Sequence, residues 1–450
     1  MNVETQLVLL NFIFWILPVF YFKGLSRIVF LATSLIFSGS YWALSALKIF
    51  FDGQYQTSVV QDYVNSSLLY SCFAAFFFYF SAILVSPRRT ILNNSEFSRL
   101  IDLNVILPRF NFYSVLKFAS LAIAFYSFWE AQKIIGVAGR RYFIDEIAPF
   151  WHVTLMPING IILMVCAVYD FKEERRGGRG WGAWFTFILC LFHVVLVGFD
   201  GSRRDAFLPI VGYAISFLFL YQKKIDMGSR IKEKKPLFFA ICLVLISSFL
   251  SLNRGFLVGW TFISSFDFDL LNAIEKTASY VFAAMPTLHV NTNMLAYIDL
   301  NGVQGADSYV YGLMNTLFPH FIFGEYIFGQ PLVLRIQDEL GWVGFDFGFM
   351  AEAIYAGGLP AVCLVHFSLG LVMGGILRGL KRGKLICLAL LIGIIFGMVN
   401  SLRSDFMNFM KSFLYSAFLL YIVFNVATVR YKKVMCSKKG INRDEKASPV

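Results

Sequence analysis

Three short turns place arginine where an apolar run ends. Asp200-Gly201-Ser202-Arg203-Arg204-Asp205 joins two apolar runs, Asn253-Arg254-Gly255 follows another directly, and Ser401-Leu402-Arg403-Ser404-Asp405 joins the last two. A guanidinium is a planar, permanently charged fork that makes two parallel hydrogen bonds to an oxyanion, so these turns suit a diphosphate. Gly201 and Gly255 let backbone approach such a group closely. Each arginine also has a plainer use, pairing with Asp200, Asp205 or Asp405 or reaching ordinary phospholipid phosphates, and for any single arginine the two uses balance. Three such turns favour one shared anionic ligand, with Arg203, Arg204, Arg254, Arg335 and Arg403 as the candidates to hold it.

A second cluster runs from Gly341 to Pro360 and carries Glu352 and Tyr355 among five glycines. Glu352 and Tyr355 are three apart and share a helical face. A carboxylate at the mouth of an apolar helix is costly to desolvate, which suits it to accept a proton or hold a hydroxyl. The plainer reading is a glycine-rich helix start with Glu near the positive end of the dipole, and the two stand level. Arginine stays protonated and cannot be a base. Glu352 is therefore the first candidate base, followed by His320 and Asp405. Tyr355 and Tyr311 are candidate sugar platforms, among further aromatics that include Tyr297, Tyr309 and Trp342. Aromatics of this kind also form the interfacial belt of any membrane protein. Asp267-Phe268-Asp269 has the spacing of a metal clamp but reads as an acidic loop tip. The seven cysteines show no ligand spacing, so no metal site, disulfide or cofactor is expected.

These residues need positioning elements, and composition says which. The chain has 450 residues, 58% hydrophobic and only 15% charged, with mean hydropathy +0.66. A soluble domain is about 25% charged. A soluble enzyme, a disulfide-stapled secreted domain and a disordered chain are excluded on these figures; the apolar solvent is a bilayer. The expected fold class is all-α, a polytopic membrane helix bundle of about eleven transmembrane helices. Spans are expected near 7–22, 28–50, 63–85, 118–135, 151–169, 183–199, 206–221, 237–252, 350–377, 385–399 and 409–429. No basic residue precedes the first, so it reads as a span and not as a cleaved leader. The expected division is an N-terminal bundle of eight spans (1–253), a long loop with interfacial helices (254–348), a bundle of three spans (349–429) and a basic tail (430–450). Pro18 and Pro157 are expected to kink their helices. Span interiors hold no acidic or basic side chain; His193 and His366 are the exceptions, each read as a helix–helix hydrogen-bond partner. That scarcity counts against an ion-driven carrier.

Charge fixes the expected orientation. Alternate loops hold 28 of the 39 basic residues but only 9 of the 28 acidic ones, so one face carries +19 and the other −8. By the positive-inside rule the tail lies in the cytoplasm and the N-terminus outside. The net charge of +11 is then an orientation signal and implies no nucleic acid. All five candidate arginines fall on the outer face, against the trend.

In these features the chain resembles the Wzy-type O-antigen and oligosaccharide repeat-unit polymerases of the bacterial inner membrane. Gly201-Ser202-Arg203 after a span is similar to that family's Gly-Ser-Arg pattern. Glu352-Ala-Ile-Tyr355-Ala-Gly357-Gly358 after the large outer loop resembles its Glu–aromatic–Gly pattern, with Ala356-Gly357 where the family has Asn-Phe before the glycine. Arg403 in Leu402-Arg403-Ser404-Asp405-Phe406 resembles its late arginine turn. The resemblance implies a metal-independent glycosyltransferase. Its donor and acceptor would be oligosaccharides on undecaprenyl diphosphate, joined at the periplasmic face, with membrane lipids and a chain-length regulator as further partners. The competing readings are the O-antigen ligase and a lipid-linked oligosaccharide flippase or other carrier.

Overall fold

The computed structural model describes residues 3–51, 60–90, 112–132, 155–175, 181–200, 209–210, 212–213, 235–252, 287–318, 327–330, 332, 335–336, 348–382, 384–400, 406–407, 409–418 and 420–421. The described chain is almost entirely helical. α1 (Val3–Ile16) passes through a 3-10 turn (Leu17–Tyr21) into β1 (Lys23–Gly24) and α2 (Leu25–Phe51), and α3 (Val64–Val85) leads into β2 (Arg89–Thr90). There follow α4 (Phe112–Gln132), α5 (Met156–Arg175), α6 (Trp181–Asp200), α7 (Lys235–Leu252), α8 (Thr287–Asn301), α9 (Asp307–Leu317), α10 (Phe349–Lys381) and α11 (Leu385–Asn400). Described residues between 406 and 421 are helical. β1 and β2 form one parallel pair in the register Lys23–Arg89 and Gly24–Thr90. Among the described residues, three helical stretches, Val3–Tyr21, Gln61–Val85 and Phe349–Lys381, are long and apolar enough to cross a membrane, and shorter apolar helices accompany them.

The chain forms two compact units that do not follow its linear order. The first joins Met1–Ile91 to Phe268–Ala417, and the second joins Leu92–Asp267 to Phe418–Val450. In the first unit α3 packs along α10, with α1, α2 and α8 around them. The approach is close because α10 offers glycine: a Cβ on Gly370 would stand 2.2 Å from the Phe78 carbonyl oxygen. Polar side chains turn inward. Trp15 donates to Ser71 at 3.1 Å, Ser34 donates to the Trp15 carbonyl at 2.7 Å, and Asn291 of α8 donates to the Tyr41 hydroxyl at 2.7 Å. Large apolar side chains such as Phe73, Phe76, Phe80 and Leu84 of α3 turn outward. This is the reverse of a helix that faces water. α9 repeats the inversion: Ser308, Gly312, Asn315 and Thr316 are buried, whereas Val310, Leu313 and Leu317 are exposed.

The second unit is built on α4, α5, α6 and α7 around Leu163, Phe187, Cys190, Tyr213, Phe239 and Leu243. It changes the reading of its charges. Lys117 and Asp170, which the sequence places in loops beyond two spans, lie within α4 and α5 as a buried ion pair at 2.6 Å. Thr186 of α6 donates to the other Asp170 oxygen, and Lys117 donates to the Gly182 carbonyl at 3.4 Å. Mutual neutralisation lets both helices run past their apolar runs. His193 does bond across helices, with Asn159 at 3.0 Å. His366 does not, among the described residues. Its Nδ1 bonds the Val362 carbonyl of its own helix at 2.9 Å, and Phe37 and Phe349 flank its ring. Pro18 ends α1 in a 3-10 turn, as a ring without an N–H would, while Pro157 is the second residue of α5, directly after the π-helical Leu155.

Candidate functional site

The break in α10 is what places the candidate residues. Gly357 and Gly358 leave helical geometry, Gly358 at φ +61°, a left-handed conformation that side chains with a Cβ resist. Pro360 has no N–H to return to the Ala356 carbonyl. The loop before α9 fills both vacancies: the Gln304 N–H donates to the Tyr355 carbonyl at 3.0 Å, and the Gly305 N–H to the Ala356 carbonyl at 3.1 Å. The Tyr70 hydroxyl of α3 approaches the break, 3.8 Å from where a Cβ on Gly358 would stand. The segment Phe349–Ala356 is thereby a separate short helix, buried along its length and aimed independently of the long span below it.

Glu352 lies on that segment, 1% exposed. One of its carboxylate oxygens accepts the Phe406 backbone N–H at 2.5 Å. Phe406 lies in the last helical stretch, so the carboxylate ties the segment Phe349–Ala356 to the backbone of that stretch. Its neighbours are aromatic. Phe406 packs against Tyr309 with centroids 4.9 Å apart and against Phe349 at 6.1 Å. The buried Tyr309 hydroxyl has no hydrogen-bond partner among the described residues. Burial, and then the Glu352 charge, push that hydroxyl well above its ordinary value of 10.0. α9 is held on the last helix by a second link, from the Tyr415 hydroxyl to the Thr316 carbonyl at 2.8 Å.

Tyr355, 4% exposed, stacks on Tyr297 of α8 with centroids 5.8 Å apart. Spacing puts Glu352 and Tyr355 on one helical face, yet they meet different neighbours, one α8 and the other the last helix. Tyr311 lies on α9, 37% exposed, within reach of a ligand. Arg335 is partly buried, and its Nε lacks a hydrogen-bond partner among the described residues. Arg203, Arg204, Arg254, His320, Arg403 and Asp405 lie outside the described residues. Even so, the Glu352 contact is with the residue that follows Asp405, so two motifs 54 residues apart in the chain meet at one bond.

Sequence reasoning placed Tyr309 only among general outer aromatics. Its position beside Glu352 comes from the fold of α9, for which no local pattern exists. Among the described residues, no group of three or more His, Cys, Asp or Glu side chains could hold a metal ion. Comparison with protein-family models, curated proteins and solved structures finds no match to the chain.

Proposed function

We propose that the protein is a polytopic bacterial inner-membrane glycosyltransferase with about eleven spans, its N-terminus in the periplasm and its tail in the cytoplasm, that polymerises lipid-linked oligosaccharide repeat units. The observation that carries the reading is the bond between Glu352 and the Phe406 N–H, which draws the Glu–aromatic–Gly motif against the late arginine turn. In this reading a hydroxyl of the acceptor sugar attacks the anomeric carbon of the donor glycan. The bond from that carbon to the diphosphate oxygen breaks, and undecaprenyl diphosphate leaves with the electron pair. Arg203, Arg204, Arg254, Arg335 and Arg403 stabilise the departing charge. A carboxylate or histidine takes the hydroxyl proton, with Glu352 first, then His320 or Asp405. Tyr311 offers the accessible aromatic face for sugar, and Tyr355 supports the site through Tyr297.

The inverted burial of α9 supports the same reading: its outward apolar face suits hydrocarbon beside the site, where a polyprenyl chain would lie. The test is a glycan gel of cells that carry a deletion or the Arg203→Ala variant. A polymerase predicts that deletion leaves core bearing one repeat unit and that Arg203→Ala abolishes the ladder while the protein stays in the membrane. Loss of even the single unit would mark a ligase or flippase, and a normal ladder in Arg203→Ala would remove that residue from diphosphate binding.

A further inference from the structure

The far end of α10 carries a second site of opposite charge. Past its break, α10 runs from Leu359 to Lys381, roughly 35 Å, so its C-terminus lies far from the Glu352 end. There it packs against the end of α3, where a Cβ on Gly374 would stand 3.1 Å from the Ser86 backbone nitrogen. A cavity of about 450 Å³ opens between the two ends, lined by Leu84, Val85, Ser86, Pro87, Arg378, Lys381 and Arg382. Among the described residues, three cations face it and no carboxylate does.

Two neighbouring cations, Arg27 and Arg88, are already engaged. Arg27 Nε donates to the Phe22 carbonyl at 2.8 Å, and Arg88 Nε donates to the Tyr21 carbonyl at 3.1 Å, its guanidinium 5.3 Å from the Tyr21 ring centroid. Arg378, Lys381 and Arg382 make no side-chain hydrogen bond or ion pair among the described residues. Cations in a last turn answer the negative end of a helix dipole, but that alone does not require an open cavity. Leu84, 62% exposed, forms the apolar wall on the hydrocarbon side. A cavity that is apolar on one wall and cationic on the other matches a phosphodiester joined to acyl chains.

We propose that this cavity binds the headgroup of an anionic phospholipid, its phosphate among Arg378, Lys381 and Arg382 and an acyl chain along Leu84 and Val85. The site is separate from the glycan chemistry and stands without it.

The test uses the purified full-length protein in neutral detergent, titrated with phosphatidylglycerol, phosphatidylcholine or inorganic phosphate and followed by its thermal unfolding midpoint. Phosphatidylglycerol should raise the midpoint saturably, and the other two should not. The triple variant Arg378→Gln, Lys381→Gln, Arg382→Gln should need roughly tenfold more phosphatidylglycerol for half-saturation, while Lys235→Gln in the second unit should need no more than the wild type. If the triple variant is not monodisperse, Lys381→Gln alone carries the test, with a smaller rise of about threefold. Equal shifts with phosphatidylcholine, a full shift with inorganic phosphate, unchanged saturation in the cation variants, or equal weakening by Lys235→Gln would each overturn the proposal.

Discussion

Each unit buries a carboxylate, and the two are held in different ways. Asp170 in the second unit meets a lysine ammonium at 2.6 Å and a threonine hydroxyl, with Gly182 giving the space. Opposite charges compensate one another within three packed helices, which is the arrangement of a structural clamp. Glu352 in the first unit meets the Phe406 backbone N–H, beside a tyrosine hydroxyl that lacks a partner among the described residues. That hydroxyl keeps its capacity to bond. One centre is closed around its own partners. The other keeps a polar group available beside a fixed carboxylate, and this is why the chemistry is assigned to Glu352 and not to Asp170.

The comparison can be broken most sharply at Lys117. Lys117→Met should cost about 3–5 kcal/mol of stability, because Asp170 is left buried without its counter-charge. Adding Asp170→Leu should recover most of that loss; equilibrium denaturation in detergent reads both. A double variant as unstable as the single one would mean that the pair does more than neutralise itself.

At Glu352 the effect should fall on activity. Glu352→Gln retains an oxygen for the Phe406 N–H and should keep the fold within about 1 kcal/mol. If Glu352 is the proton acceptor of the proposed reaction, its loss should lower polymer formation about 100-fold or more. Glu352→Ala removes the acceptor of the Phe406 N–H as well and should cost a further 1–2 kcal/mol, roughly. A Gln variant with a normal glycan ladder would make Glu352 a structural clamp alone, like Asp170.

Gly358→Ala tests whether the break in α10 aims the site. The φ of +61° should cost about 1–2 kcal/mol in any residue with a Cβ. Polymer should decline with stability, as seen by thermal unfolding beside the same gel.

The smallest change in stability is expected at Tyr309. Tyr309→Phe deletes a buried hydroxyl with no partner among the described residues, so near-neutral pH stability should change by less than about 1 kcal/mol. The alkaline limb should change more. The folded state holds this tyrosine protonated well above 10.0, so its contribution is intact below pH 10 and is lost as pH rises further. The Phe variant should therefore lose stability less steeply above that pH. Reduced polymer in Tyr309→Phe at neutral pH would show that the hydroxyl serves the ligand, in contrast to the closed clamp around Asp170.

Much of the helix pattern was legible in advance. The expected spans at 28–50, 63–85, 183–199, 237–252 and 385–399 fall on α2, α3, α6, α7 and α11 within a few residues, because mean hydropathy is summed over neighbours along the chain. The limits of α4 and α5 were not legible, since a charged residue looks like a loop until its counter-charge is known. The form of the break at Pro18 was not legible either: a missing N–H marks the place, but whether the chain bends or passes into a 3-10 turn depends on what packs around it. The break at Gly357–Gly358 was visible as glycine content but not as geometry, because its stability depends on N–H groups from Gln304 and Gly305.

What the sequence alone determined is composition and type: an apolar helical chain, arginines at span ends, a glutamate and a tyrosine three apart beside a glycine pair. What only the tertiary structure decided is partnership. Asn291 reaches Tyr41 across 250 residues, Asp170 reaches Lys117 across 53, and Glu352 reaches the Phe406 N–H across 54. Hydropathy and helical period are local quantities that neighbours along the chain set together. A hydrogen bond to a distant residue depends on which helix faces meet, and this is fixed by packing in which a glycine such as Gly370 lets two backbones come within reach.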